Sequence, residues 1–281
     1  MSVPSLVYPN IVPENNLRFP DALTVRHGPA ALLARFVLEG DKTVREAGVR
    51  LRLRHDFEEL VYANRQYANT QWYPLVGGFD PDNVELTPEN AFWTSGENES
   101  GEIVVTRLTR IFNWQDTNLE EQARAIFYGE DRGQPCIVTA DAAKLISGVV
   151  EGGGAFWVRP DYRGRHLSRW IPRLDKAMAC GRWPIEWLFC YITLEQVRKG
   201  LAVNYGQKHL SYSILYPGSP HGELALAYTA VHEFYDDIAD VLDTRSVSES
   251  SGGMSLVPNL RVHPVTNTSP EGVLQGSIRR S

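Results

Sequence analysis

The sequence predicts a mixed α/β fold, and three observations carry that prediction. Segments of period 2 alternate along the chain with segments of period 3.6, the mark of strands interleaved with amphipathic helices. One run, "IEWLFCYI" at residues 185–192, is apolar nearly throughout, as a strand covered on both faces is. Shortly before it, "PDYRGRHLSRW" at residues 160–170 gathers three arginines, a glycine and a histidine where a strand hands over to a helix. Such a turn concentrates unpaired N–H groups and the positive end of a helix dipole, which suits a phosphate.

In chain order, residues 1–46 read as an N-terminal arm. It is Pro- and Asn-rich at first, then carries "PAALLARFVLEG", a short helix bracketed by Pro29 and Gly40. "VRLRLR" at 49–54 alternates strictly, giving a half-buried strand with Val49, Leu51 and Leu53 inward and the arginines in solvent. Asp56 caps a helix in which Phe57, Leu60, Val61 and Asn64 recur at helical spacing. "PLVGGFDPDN" is a loop by its turn residues. The aromatic set Trp72, Tyr73, Phe92 and Trp93 reads first as core, because large aromatics dominate cores.

Residues 102–112 form a β-branched strand, 119–128 a helix ended by Gly129, and 136–140 a further strand. The strand at 146–158 leads into the arginine-rich turn, and its three consecutive glycines predict a bulge or a close backbone approach. After the turn, Leu167, Ile171, Leu174 and Met178 share one helix face, with Pro172 near the start where a missing N–H is tolerated. Thr193 and Gln196 form a T-x-x-Q capping box for a helix that stops near Tyr205 and Gly206. Strands at 211–216 and 223–231 follow, then a short helix through Phe234 and Ile238. Residues 244–281, Ser-, Gly- and Pro-rich from Ser246, read as a disordered or extended tail, which leaves 47–243 as the main domain.

Composition narrows the function. With 28 basic and 34 acidic side chains the net charge is −6, so nucleic acid is not an expected partner, although a local basic patch can hold one small anion. No apolar stretch approaches the ~18–20 residues that span a bilayer, and the N-terminus lacks a basic run followed by an apolar core. The expectation is a cytoplasmic protein without membrane partners. The three cysteines lack C-x-x-C spacing and read as reduced thiols, and the seven histidines show no H-E-x-x-H pair, so no metal is expected.

Within "WVRPDYRGRHLS", Val158, Pro160, Tyr162 and Arg163 stand where the GNAT N-acetyltransferase superfamily carries V-x-P-x-[YF]-R, followed by its Q/R-x-x-G-x-G/A turn. Over about residues 47–243 the chain resembles that superfamily. The resemblance implies a mixed, mostly antiparallel central sheet, splayed between its fourth and fifth strands, with helices on both faces. It implies acetyl-CoA as co-substrate in the gap. The pyrophosphate would lie on the amides of Arg163, Gly164, Arg165, His166, Leu167 and Ser168, and the pantetheine along the strand edge at Trp157 and Val158. His166 and Ser168 take the motif's two small positions.

The resemblance further implies direct acetyl transfer to an amine of a small molecule or protein, with Tyr205 as the acid that protonates the leaving thiolate. No base is assigned: Glu151, Glu186 and Glu223 lie near strand ends and read first as surface carboxylates, and His209 and His221 as loop residues. The alternative is a non-catalytic acyl-CoA-sensing or protein-interaction module in which His166 weakens the cofactor loop. A final apolar strand, if exposed, would favour a homodimer.

Overall fold

The computed structural model describes residues 16–70, 72–128, 136–215 and 222–250. Among them lie nine strands: β1 (Asn16–Arg18), β2 (Arg50–Arg54), β3 (Ala91–Glu97), β4 (Ile103–Trp114), β5 (Ile137–Val138), β6 (Gly148–Val158), β7 (Trp187–Thr193), β8 (His209–Leu215) and β9 (Leu224–Ala230). They form one sheet in the order β1-β2-β3-β4-β6-β7-β9-β8-β5. Every neighbouring pair is antiparallel except β6 and β7, which run parallel. The sheet is therefore mixed and mostly antiparallel, as expected.

Helices cover both faces: α1 (Ala30–Glu46), α2 (Phe57–Gln66), α3 (Leu119–Tyr128), α4 (Leu167–Arg182), α5 (Leu194–Arg198), α6 (Leu201–Asn204) and α7 (Val231–Ser250). On one face Leu33 and Phe36 of α1, Leu174 of α4 and Phe234 of α7 pack with Leu51, Phe92 and Val105. On the other, Leu60 of α2 and Ile126 of α3 pack with Trp93, Phe112 and Phe189. Adjacent residues Phe92 and Trp93 thus serve opposite cores, which is the alternation of a strand buried on both sides.

Several elements differ from the sequence expectation. β3 was hidden because both its faces are buried and its Ser95–Gly96 end has little strand propensity. Gly96 is needed there, since a Cβ would come within 2.2 Å of Val105 Cγ1. Helix α1 runs straight through Gly40 instead of stopping at it. A Cβ at Gly40 would sit 2.6 Å from Leu174 Cδ2, so this glycine marks the close approach of α1 to α4. Gly200, at φ +73°, divides α5 from α6, where one helix was expected. β5 is only two residues long at the far edge, and α7 continues past Ser246 to Ser250. The remainder of the tail, and Gly129, lie outside the described residues. Arg54 is buried instead of solvated, donating to Ser95 Oγ at 2.8 Å and pairing with Glu59 and Glu97.

The site is created by one irregularity. β6 and β7 pair only from Val150↔Trp187 to Gly153↔Cys190, then continue unpaired to Val158 and Thr193. On the other side of β6, Thr106 faces Trp157 while Leu108 faces Gly154, so Arg107 opposes two residues, Ala155 and Phe156. This is a β-bulge, with Ala155 at φ +50° and its carbonyl accepting from Thr106 Oγ1 at 3.0 Å. The bulge bends β6 away from β7. The expected splay, between the fourth and fifth strands once the two- and three-residue edge strands are set aside, is this gap.

Candidate active site

A cleft of about 1050 Å³ opens where β6 and β7 part. Strand alternation divides its lining between the two faces of the sheet. Phe156, Cys190 and Ile192 turn toward α4 and α6, whereas Trp157 and Tyr191 turn toward the α2 and α3 face.

At the α4 end, the chain leaves β6 at Val158, makes a 3₁₀ turn at Pro160–Tyr162, and enters α4 through two left-handed residues, Gly164 (φ +82°) and His166 (φ +59°). No atom lies within 4 Å of where a Gly164 Cβ would stand, so the backbone there is open to close approach. The amides of Gly164, Arg165, His166, Leu167 and Ser168 have no hydrogen-bond acceptor among the described residues, while those of Arg163 and Arg169 are bonded to Pro160 O and His166 O. Trp157, Val158, Arg163, Gly164, His166, Leu167 and Ser168 all line the cleft. Arg163 donates to Val158 O at 3.1 Å. The Arg165 side chain faces away: it lies 4.0 Å over the Tyr162 ring, donates to Ala47 O at 3.1 Å, and is absent from the lining. Across the mouth, Arg198 of α5 adds positive charge that the sequence did not mark, since a charged helix end is ordinarily just solvated, whereas Lys199 is paired with Glu195, which also lines the cleft.

The floor is a buried charge cluster. Arg107 donates to Glu151 Oε1 at 2.8 Å, Thr109 Oγ1 at 2.7 Å and Asp175 Oδ2 at 3.4 Å, and Asp175 also accepts from Thr94 at 2.8 Å. Glu151, read from sequence as a surface carboxylate, is 0% exposed, because β6 is covered on both faces. Burial pushes Asp175 up to about 7 despite the neighbouring Arg107, and pushes Lys176 down to about 8. Gly153 makes the cluster possible: a Cβ there would meet Arg107 Nη2 at 2.1 Å. Arg107 was missed because "TRLTRIF" alternates like a solvated strand face.

Tyr205 is the C-cap of α6 and is held from below. Lys176 Nζ donates to its carbonyl at 2.7 Å, and Arg173 donates to the carbonyls of Val203 and Asn204. Arg173 is itself fixed by Asp237 of α7 at 2.6 Å. The Tyr205 side chain lines the cleft and meets Phe156 edge-on at 5.3 Å. Its burial raises the phenol pKa, so the hydroxyl keeps its proton. Of the remaining sequence candidates, Glu186 accepts from Val149 N at 3.0 Å and is structural, Glu223 lines the cleft, and His209 pairs with Glu233 at 2.7 Å outside it. His221 lies outside the described residues. Trp72 and Tyr73 also reach the cleft, whereas Phe92 and Trp93 are core.

No protein-family model matches the sequence, and no curated protein matches it. Solved structures do resemble it. The aminoglycoside acetyltransferase AAC(6')-Ib, in complex with coenzyme A and kanamycin, is 11% identical at TM-score 0.37, over 66% of this chain and 98% of its own. FeeM, an N-acyl amino acid synthase from uncultured soil microbes, is 15% identical at TM-score 0.42, over 66% and 93%. NAA60 of Arabidopsis thaliana, in complex with a bisubstrate analogue, is 13% identical at TM-score 0.39, over 64% and 97%. All three are at most 15% identical and below TM-score 0.5.

Proposed function

We propose that this GNAT-fold chain is an acyl-CoA N-acyltransferase that moves an acetyl group from acetyl-CoA to a primary amine by direct transfer. The observation that carries the reading is the splay at Gly153 and Cys190, which ends beside five unbonded amides and an exposed glycine backbone. Those amides, at Gly164 to Ser168, suit the pyrophosphate, supported by the cationic side chain of Arg163 and the positive end of α4. Arg165 would contribute its amide and not its side chain, which is spent on Tyr162 and Ala47. The unpaired edge of β6 at Trp157 and Val158 offers backbone groups to the pantetheine amides.

The amine nitrogen attacks the thioester carbonyl, a C–N bond forms, and the C–S bond breaks from a tetrahedral intermediate. The Tyr205 phenol gives its proton to the departing thiolate, and the proton shed by the amine restores the phenol through water. Tyr205 is nominated by its place, its side chain lining the cleft at the end of α6 beside Phe156. The Arg107 cluster stands opposite the bulge and forms the floor of the cleft.

A thermal melt tests the reading. Acetyl-CoA at about a hundredfold over its Kd stabilises by roughly 2.7 kcal/mol, which raises the melting temperature by several degrees. A smaller rise with adenosine diphosphate is expected, because it meets only the α4 turn. No shift with either ligand would sink the proposal and leave the arginine-rich turn as a connector.

A further inference from the structure

We infer that Asp237 of α7 is the positioning residue of Tyr205, holding the turn that carries the phenol from both ends through Arg173 and Lys208. The inference rests on the acyl-transfer reading and adds to it the residue on which its acid depends. Tyr205 sits at the end of α6, a single turn that cannot keep its own shape. Gly200 at its start supplies no side-chain cap, so α6 is held by whatever grips its last carbonyls.

That grip is built from charges. Arg173 of α4 donates to Val203 O at 3.1 Å and to Asn204 O, and Lys176 donates to Tyr205 O at 2.7 Å. Beyond the tyrosine, Lys208 reaches back until its Nζ stands 2.8 Å from Asp237 Oδ1. The other oxygen of Asp237 accepts from Arg173 Nε at 2.6 Å. One carboxylate on α7 therefore joins the cation that holds the carbonyls before Tyr205 to the cation that follows it. The fit is close: Gly206 takes φ +73°, and a Cβ there would meet Arg173 Nε at 3.0 Å and Asp237 Oδ2 at 3.1 Å.

Asp237 is the member this arrangement cannot lose. Burial works against its charge, but Arg173 and Lys208 outweigh it and hold the carboxyl below its usual range. Among the described residues Asp237 is the carboxylate paired with Arg173, which is itself buried. Without it the guanidinium would be a buried, unpaired charge, and turning out toward water would cost less than staying. The Val203 and Asn204 carbonyls would lose their donor, and the Tyr205 ring would drift in the cleft. None of Asp237, Arg173 and Lys208 lines the cleft, so cofactor binding should stand while proton transfer suffers.

The test is a double-mutant cycle on the full chain with Asp237→Asn and Tyr205→Phe. Acetyl-CoA binding is measured by calorimetry. Transfer to hydroxylamine, a small nucleophile that is uncharged at neutral pH, is followed by loss of the thioester absorbance. Tyr205→Phe is expected to lower kcat by about a hundredfold. Asp237→Asn should lower it by about tenfold, with the Kd of acetyl-CoA within about twofold of wild type. The double variant should be no slower than Tyr205→Phe alone, because misplacing an acid has no effect once the acid is gone. Arg173→Lys, which keeps the charge but not the fork, should repeat the Asp237→Asn loss. In both variants faster hydrogen exchange is expected at the amides of Tyr205, Gly206 and Gln207, which close the turn, and not across the sheet. Losses that multiply, an Asp237→Asn protein as fast as wild type, or exchange raised everywhere overturns the inference. If acetyl-CoA does not bind wild type, or binds without transfer, the acyl-transfer reading falls and the inference with it. If transfer occurs and Tyr205→Phe does not slow it, the transfer stands and the inference alone is wrong.

Discussion

His166 occupies a left-handed backbone conformation, φ +59°, that costs a side-chain-bearing residue about 1 kcal/mol or more. Histidine tolerates this better than most residues, and here the strain buys an N-cap position whose amide faces the cleft. His166→Gly should therefore raise unfolding stability by up to about 1 kcal/mol in urea titration and tighten acetyl-CoA binding. A loop adapted to the histidine would instead lose affinity, and calorimetry separates the two. At this scale the turn residues from Arg163 to Ser168 were legible, because glycine, arginine and a strand-to-helix handover are local signals. Arg54, Arg107 and Glu151 were not. Alternation shows that a strand has two faces, and it is silent on whether the second is covered.

Among the elements, α5 and α6 carry Tyr205 and have the most explicit sequence instructions. The Thr193 hydroxyl accepts from Gln196 N at 3.1 Å and the Gln196 side chain accepts from Thr193 N at 2.9 Å, the reciprocal box that T-x-x-Q announces. Thr193→Ala should cost about 1 kcal/mol of stability. Faster amide hydrogen exchange is expected in α5, with that of α4 left unchanged; uniform acceleration would show that the box does not act locally. The two glycines that misled are instructive. Gly40 was read as a stop and is a helix–helix contact, and Gly200 was not read as a stop and is one. Sequence marks a glycine without saying whether its missing Cβ serves φ or a neighbour.

At the level of the whole molecule, one buried cluster ties β4, β6, α4 and α6 together through Arg107, Glu151, Asp175 and Lys176. Its clearest signature is a pH dependence. Lys176 titrates at 10.5 when unfolded and is pushed down to about 8 by burial, so between those values the unfolded chain binds more protons. Stability contributed through Lys176 must then rise with pH across that window. Wild type should gain on Lys176→Met by on the order of 2 kcal/mol between pH 7.5 and 9.5, read from urea midpoints. A constant gap between the two proteins would show that the amine is not desolvated. No described helix is long and apolar enough to cross a membrane.

The sequence by itself determined the strand–helix alternation, the arginine-rich turn and the capping box. Each of these is written in neighbours a few positions apart, where periodicity, caps and turn residues act. Tertiary structure alone decided that Arg107 stands opposite a bulge at Ala155, that Gly153 leaves room for its guanidinium, and that α4 grips three successive carbonyls beneath Tyr205. Those relations join residues separated by tens of positions. They depend on sheet order and on which face is buried, and both are set by the packing of the whole chain.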